Sequence, residues 1–153
     1  GNATFGYRRL TPLSPDVRGY NGPTLNVGLS YRLLGTTRLT FDVTRAVQPS
    51  FEPERPHYLE TGLSLSVQQQ VAGPLDALGR IRTRRLAYRD RIGSVTAVAD
   101  GTDRIRGLTV GMGYRLGTDK RFGVTIDRDS RASGLGRREY AATRFGMSLT
   151  YER

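Results

Sequence analysis

Residues 25–45 read LNVGLSYRLLGTTRLTFDVTR and residues 108–128 read LTVGMGYRLGTDKRFGVTIDR; displaced by 83 positions, the two stretches align without a gap. Leu25/Leu108, Val27/Val110, Gly28/Gly111, Tyr31/Tyr114, Arg32/Arg115, Leu33/Leu116, Arg38/Arg121 and Arg45/Arg128 are identical. In the first copy Leu25, Val27, Leu29, Tyr31 and Leu33 alternate with Asn26, Gly28, Ser30 and Arg32. Beyond Gly35, the apolar Leu39, Phe41 and Val43 alternate with Arg38, Thr40, Asp42 and Thr44. Alternation with a period of two marks a strand with one apolar and one polar face. Each copy is therefore a β-hairpin, and residues 1–153 form one domain of two four-strand repeats, each of about 80 residues.

Outside the repeat, the same alternation predicts a first strand around Ala3, Phe5 and Tyr7, and a clean fourth strand over Leu59–Gln68. It predicts a fifth over Leu75–Tyr88 and an eighth over Ala141–Glu152. The fifth has a weak apolar face, which points to a register change near Arg84 and Arg85. Long connections are expected at Leu10–Pro23, Ala46–His57, Arg89–Asp103 and Ser130–Arg138, the second because it carries Pro49, Pro53 and Pro56. Short turns are expected near Gly35, at Ala72-Gly73-Pro74 and at Gly117–Lys120. Long and short connections thus alternate along eight strands, with no helical periodicity and no domain boundary between them.

That inequality of the two ends is the pattern of an outer-membrane barrel, with tight turns on one side and long loops on the other. Strands of roughly 9–11 tilted residues cross the hydrocarbon layer, and no 18-residue apolar run offers a helix instead. The fold class expected is an all-β, antiparallel up-and-down transmembrane barrel, either whole or part of a larger one. Its polar faces hold Asp42, Glu60, Arg80, Arg82, Arg84, Arg115, Asp127 and Arg144, which would line a lumen. Tyr31, Tyr114 and Tyr151 at the short-turn ends, and Tyr7, Tyr58, Tyr88 and Tyr140 near the long loops, are expected to form two aromatic girdles. Ordinary cross-strand aromatic pairing is the simpler alternative.

Composition narrows the chemistry. Cysteine is absent and His57 is the single histidine, so thiolate chemistry is excluded and no catalytic residue, metal site or cofactor is called for. No cleavable signal opens the sequence, as expected of a mature chain or a fragment. The net charge of +10 is almost wholly arginine, since Lys120 is the only lysine. Arginine suits bidentate contact with phosphate and carboxylate and tolerates partial burial.

The run Thr40-Phe-Asp-Val-Thr-Arg45, a proline-rich loop, and Tyr58-Leu-Glu-Thr-Gly-Leu-Ser-Leu65 resemble the strand–loop–strand unit of an outer-membrane β-barrel porin family. Val124–Arg128, Tyr140 and Phe145–Tyr151 repeat that unit. The resemblance implies a bacterial outer-membrane location, and some relatives are associated with exopolysaccharide biosynthesis and export. Such barrels are usually longer and end on an aromatic residue, which implies here either the C-terminal part of a larger barrel or a small closed one.

Three functions follow from these residues. The first is a pore whose Arg80-x-Arg82-x-Arg84 wall attracts anionic solutes or an anionic polysaccharide. The second is a closed, non-conducting barrel with a structural or surface role, in which those arginines pair with Asp42, Glu60, Asp127 or Asp129. The third is a soluble ligand-binding barrel. The basic loop residues Arg89-Asp90-Arg91 and Arg137-Arg138 would contact outer-membrane lipid and lipopolysaccharide phosphates. Nucleic acid is not an expected partner, because the arginines are scattered and no basic–aromatic platform is present. Gly111-x-Gly113 lies inside a strand, where glycines make room for arginines opposite.

Overall fold

A computed structural model of the chain describes residues 1–92, 101–117, 119–134 and 138–151. Eight strands follow one another: β1 (Asn2–Leu10), β2 (Tyr20–Leu33), β3 (Thr37–Glu52), β4 (Arg55–Ala72), β5 (Leu75–Arg89), β6 (Thr102–Leu116), β7 (Lys120–Ala132) and β8 (Tyr140–Tyr151). They form one antiparallel sheet in the order β1-β2-β3-β4-β5-β6-β7-β8, with every strand beside its sequence neighbours. No ladder joins β1 to β8, so the sheet is open and these two strands are its edges. In hydrocarbon an edge must be paired, because its unpaired amides and carbonyls have no water to bond.

Pairing reproduces the repeat. Leu25 faces Arg45 across β2–β3, and Leu108 faces Arg128 across β6–β7. The turns correspond too: Leu34 is left-handed at φ 49°, and Gly117, its equivalent in the second copy, takes φ 72°. A side chain at such a φ is strained, so the first copy bears a cost that glycine relieves in the second.

Two expectations need correction. The Ala46–His57 connection is not a loop, because β3 and β4 run on through it and turn only after Glu52. The prolines fit there because the ladder is irregular between Pro49 and Glu52, where a missing donor costs little. Nor does β5 slip at Arg84 and Arg85; both keep register, against Gly62 and Thr61. The weak apolar face arises because arginines occupy both sides of β5. Turn asymmetry survives these changes: one end has turns at 34–36, 73–74 and 117–119, whereas the other carries 11–19, 90–101 and 133–139 beside the β3–β4 hairpin.

The two faces of the sheet are unlike. On β6, Asp103, Ile105, Gly107, Thr109 and Gly113 are buried, while Arg104, Arg106, Leu108, Val110 and Met112 between them are exposed. Leu29, Leu65, Val110 and Leu149 are 50%, 40%, 47% and 70% exposed, whereas Asp76, Asp103 and Asp129 are buried. An inverted arrangement of this kind, apolar outside and ionic inside, is stable where lipid bathes the apolar side. The buried apolar cluster among the described residues is confined to Tyr20, Val47 and Leu59, with Leu10 and Ala87 against it.

Candidate functional site: the cationic inner face

Registers place Asp42, Glu60, Arg80, Arg82, Arg84, Arg115, Asp127 and Arg144 all on the inner, polar face. Glu60, Arg80, Arg82, Arg84, Arg115 and Asp127 sit an even number of residues from the buried Ser66, Asp76, Asp103 or Asp129 of their strands, while Asp42 and Arg144 follow from their partners Ser64 and Asp127. Two ion pairs on this face reach across β6, and others join adjacent strands. Arg82 of β5 holds Asp129 of β7 with bonds of 2.7 and 2.8 Å, and Arg144 of β8 joins the same carboxylate at 2.6 Å. Lower down, Arg121 of β7 bonds Asp76 of β5 at 2.8 Å, and Gln68 donates to the same carboxylate at 3.1 Å.

Glycines on β6 create the space for these crossings. A Cβ at Gly107 would collide with the Arg82 guanidinium and lie 2.6 Å from Asp129 Oδ1. One at Gly113 would strike the Arg121 guanidinium in the same way. Room for arginine therefore explains Gly113. It does not explain Gly111, which faces Thr125 and the Val124 carbonyl.

The Arg80-x-Arg82-x-Arg84 ladder is divided in its partners. Arg82 is engaged with Asp129, and Arg84 approaches Glu60 at 3.7 Å. Arg80, opposite Ser66 and Thr109, has no ion pair among the described residues. Asp127 accepts a hydrogen bond from Thr109 rather than binding an arginine.

At the short-turn end a second set converges. Arg32 opposes Arg38 across β2–β3, and Arg115 opposes Arg121 across β6–β7. Like charges directly opposite each other disfavour pairing. Together with Lys120 and the acidic Asp76 and Asp119, these arginines surround a cavity of about 450 Å³. Arg32, Arg38 and Arg115 form no ion pair among the described residues. Sequence reasoning picked out Arg115 but not Arg32, Arg38 and Arg121, although reflecting each hairpin about its turn would have brought them together.

At the other end a collar of fixed charges ties the loops down. Arg91 binds Asp16 at 2.7 Å and Arg55 binds Asp90 at 2.7 Å. Arg138 pairs with Glu52 and lies 4.8 Å from the Tyr88 ring centroid. Burial lowers the Arg138 pKa from its usual value. Charges read as free for lipid phosphate at Asp90, Arg91 and Arg138 are thus engaged within the fold, and Arg137 lies outside the described residues.

The tyrosines split by face. Tyr31, Tyr114 and Tyr151 stand exposed on the outer register at the short-turn end, and Tyr7 stands on it near the long loops. Tyr58, Tyr88 and Tyr140 do not join them. Tyr58 and Tyr88 pair on the inner face with ring centroids 5.2 Å apart, and the Tyr88 hydroxyl accepts from Arg131 at 3.0 Å. Tyr140 is opposite Arg131, also on the inner register. These three share parity with the ionic residues of their strands, so membership of a lipid-facing girdle is corrected for them.

An outward apolar band, an inward ionic face and unequal ends now define the kind of molecule. A family model described as "Putative beta-barrel porin 2" matches residues 1–153. The chain belongs to that family. No curated protein and no solved structure matches it. Family membership and the antiparallel up-and-down sheet agree on a β-barrel protein, and among the described residues no helix is long and apolar enough to cross a membrane.

Proposed function

We propose that this chain forms wall of an anion-attracting pore in a bacterial outer membrane, open to anionic solutes and to anionic polysaccharide during export. The short-turn mouth carries the proposal: five cationic side chains face two carboxylates around one cavity, and two of the arginine pairs oppose like with like. Unpaired arginines at a constriction raise the local concentration of anions and exclude cations. Arg80 continues that positive track deeper into the wall. Asp42, Glu60 and Asp127 temper the field so that an anion can also leave.

Single-channel recording in planar bilayers tests the reading. Wild-type protein is expected to conduct with anion preference, and the Arg32→Gln/Arg38→Gln/Arg115→Gln variant to lose most of that preference while still conducting. The absence of current at any voltage supports instead a non-conducting structural barrel. The engagement of Arg82 and Arg144 by Asp129 favours that second reading, because paired charges fill a lumen without selecting ions. A soluble ligand-binding barrel is disfavoured by the exposure of Leu29, Leu65, Val110 and Leu149.

A further inference from the structure

The outer face carries arginines of its own, and they follow a line. On β3 the outward residue after Val43 is Arg45; on β6 the one beyond Leu108 is Arg106; on β7 the one after Ile126 is Arg128. Leu108 and Ile126 are the last large outward apolar residues of β6 and β7 toward the long-loop end, whereas on β3 Arg45 stands between Val43 and the buried Val47. Registers show that the band itself slides: Arg128 is level with Leu108 and Ile81, which are level with Leu65 and Phe41. The arginines slide with it, as they must if they mark one plane crossed by tilted strands. Arg85 and Arg104 oppose each other directly above this border.

The strand carboxylates that the registers place lie on the other side. Asp42, Glu60, Asp76, Asp103, Asp127 and Asp129 all take the inner register. A face selected for solubility would intersperse acids. Opposite the band, at the short-turn border, the outward register among the described residues shows Lys120 and no arginine. Among the described residues the outward arginines therefore lie toward the long-loop end. Where the border reaches β2–β5, Arg18, Arg45 and Arg89 line a cavity of about 320 Å³ with Tyr20 and Leu59 and without any acidic side chain. None of the three has an ion pair among the described residues.

We infer that this arginine border binds the phosphate groups of an anionic glycolipid in the leaflet on the long-loop side, with the Arg18–Arg45–Arg89 cavity as its principal seat. Acyl chains lie along the apolar band below, and guanidinium groups at the border clamp the phosphates bidentately. Leu59, in the outward register of β4 two outward positions beyond Leu63, lines the same cavity as the three arginines. The inference rests on the outer-membrane placement above but not on conduction.

Native mass spectrometry of the detergent-solubilised full chain, with diphosphorylated lipid A and its enzymatically dephosphorylated form as probes, tests it. Wild-type protein should retain the diphosphorylated lipid preferentially. At about one kcal/mol per basic residue near an anionic surface, Arg45→Gln/Arg106→Gln/Arg128→Gln should bind it roughly a hundredfold more weakly. Arg106→Gln and Arg128→Gln singly, which disturb no inner contact, should each weaken it roughly fivefold. Equal retention of both lipids, unchanged binding by the single variants, or complete displacement by inorganic pyrophosphate would overturn the inference. Channel selectivity lost with the inner arginines and lipid binding lost with the outer ones separate its failure from that of the pore.

Discussion

Replacing Gly107 by alanine should break one of the two ionic contacts that cross β6 on the inner face. The new Cβ would fall 2.6 Å from Asp129 Oδ1 and against the Arg82 guanidinium, two groups held together by bonds of 2.7 and 2.8 Å. Arg82 and Asp129 side chains are only 27% and 11% exposed, so water replaces the lost partners incompletely. Charge-assisted bonds of this kind contribute about 1.5–3 kcal/mol. Arg144 remains able to hold Asp129, which leaves a net cost of about 2 kcal/mol, or roughly 30-fold in the folding equilibrium. Gly79→Ala is the matched control, since a Cβ there meets nothing within 4 Å and faces outward. It should be neutral or stabilise by about 0.4–1 kcal/mol, by restricting the unfolded chain. Urea unfolding of protein refolded into phosphatidylcholine vesicles, followed by heat-modifiable gel mobility, measures both. In an Asp129→Asn background the cost of Gly107→Ala should shrink below about 0.5 kcal/mol if the two act through one contact. Equal stability of Gly107→Ala and Gly79→Ala, or an undiminished cost in the Asp129→Asn background, would refute the crossing-pair account.

Further outcomes follow from the two faces and the collar. Val110→Arg, in the middle of the outward band, should cost about 2–4 kcal/mol in the same vesicle assay; a cost near zero would mean that lipid does not touch this face. Asp16 titrates below the usual carboxylate range, chiefly because the Ser14 hydroxyl donates to it, with Arg91 adding its charge. A lowered folded pKa makes the Asp16–Arg91 tether complete above the unfolded carboxylate value of about 4 and lost as pH falls through the lower folded value. The Ile92 amide, which donates to the Asp16 carbonyl at 2.7 Å, should report that release by NMR below about pH 4. A transition near neutral pH would contradict the assignment.

Much of the architecture is legible in the chain because a strand's period of two leaves each residue only two places to point. Knowing that Leu108 is outward fixes Thr109 inward, and the repeat transfers the result from β6 to β2. Asp42 through Arg144 could be assigned to one face on that ground alone. For Tyr58 and Tyr88 nearness to a strand end misleads where parity does not; counting four residues on from Arg84 places Tyr88 inward, and Tyr58 opposite it. The extension of β3 and β4 past Pro49 was hidden for a different reason. Proline lacks the ladder donor, and only the local irregularity of β3 between Pro49 and Glu52, invisible in one-dimensional pattern, makes it tolerable. Crossings such as Asp76 with Arg121, 45 residues apart, depend on curvature and on an intervening glycine, neither of which periodicity encodes.

Because Asp76–Arg121 and Arg82–Asp129 span from β5 to β7 over the glycines of β6, they draw together the inner chord of that arc while its outer surface is free to spread. The bend of the wall is therefore held by electrostatics at this point, not by loop length. Any bulk added on β6 beneath those straps would flatten the arc, so the curvature of the sheet and ionic strength become linked quantities in this molecule.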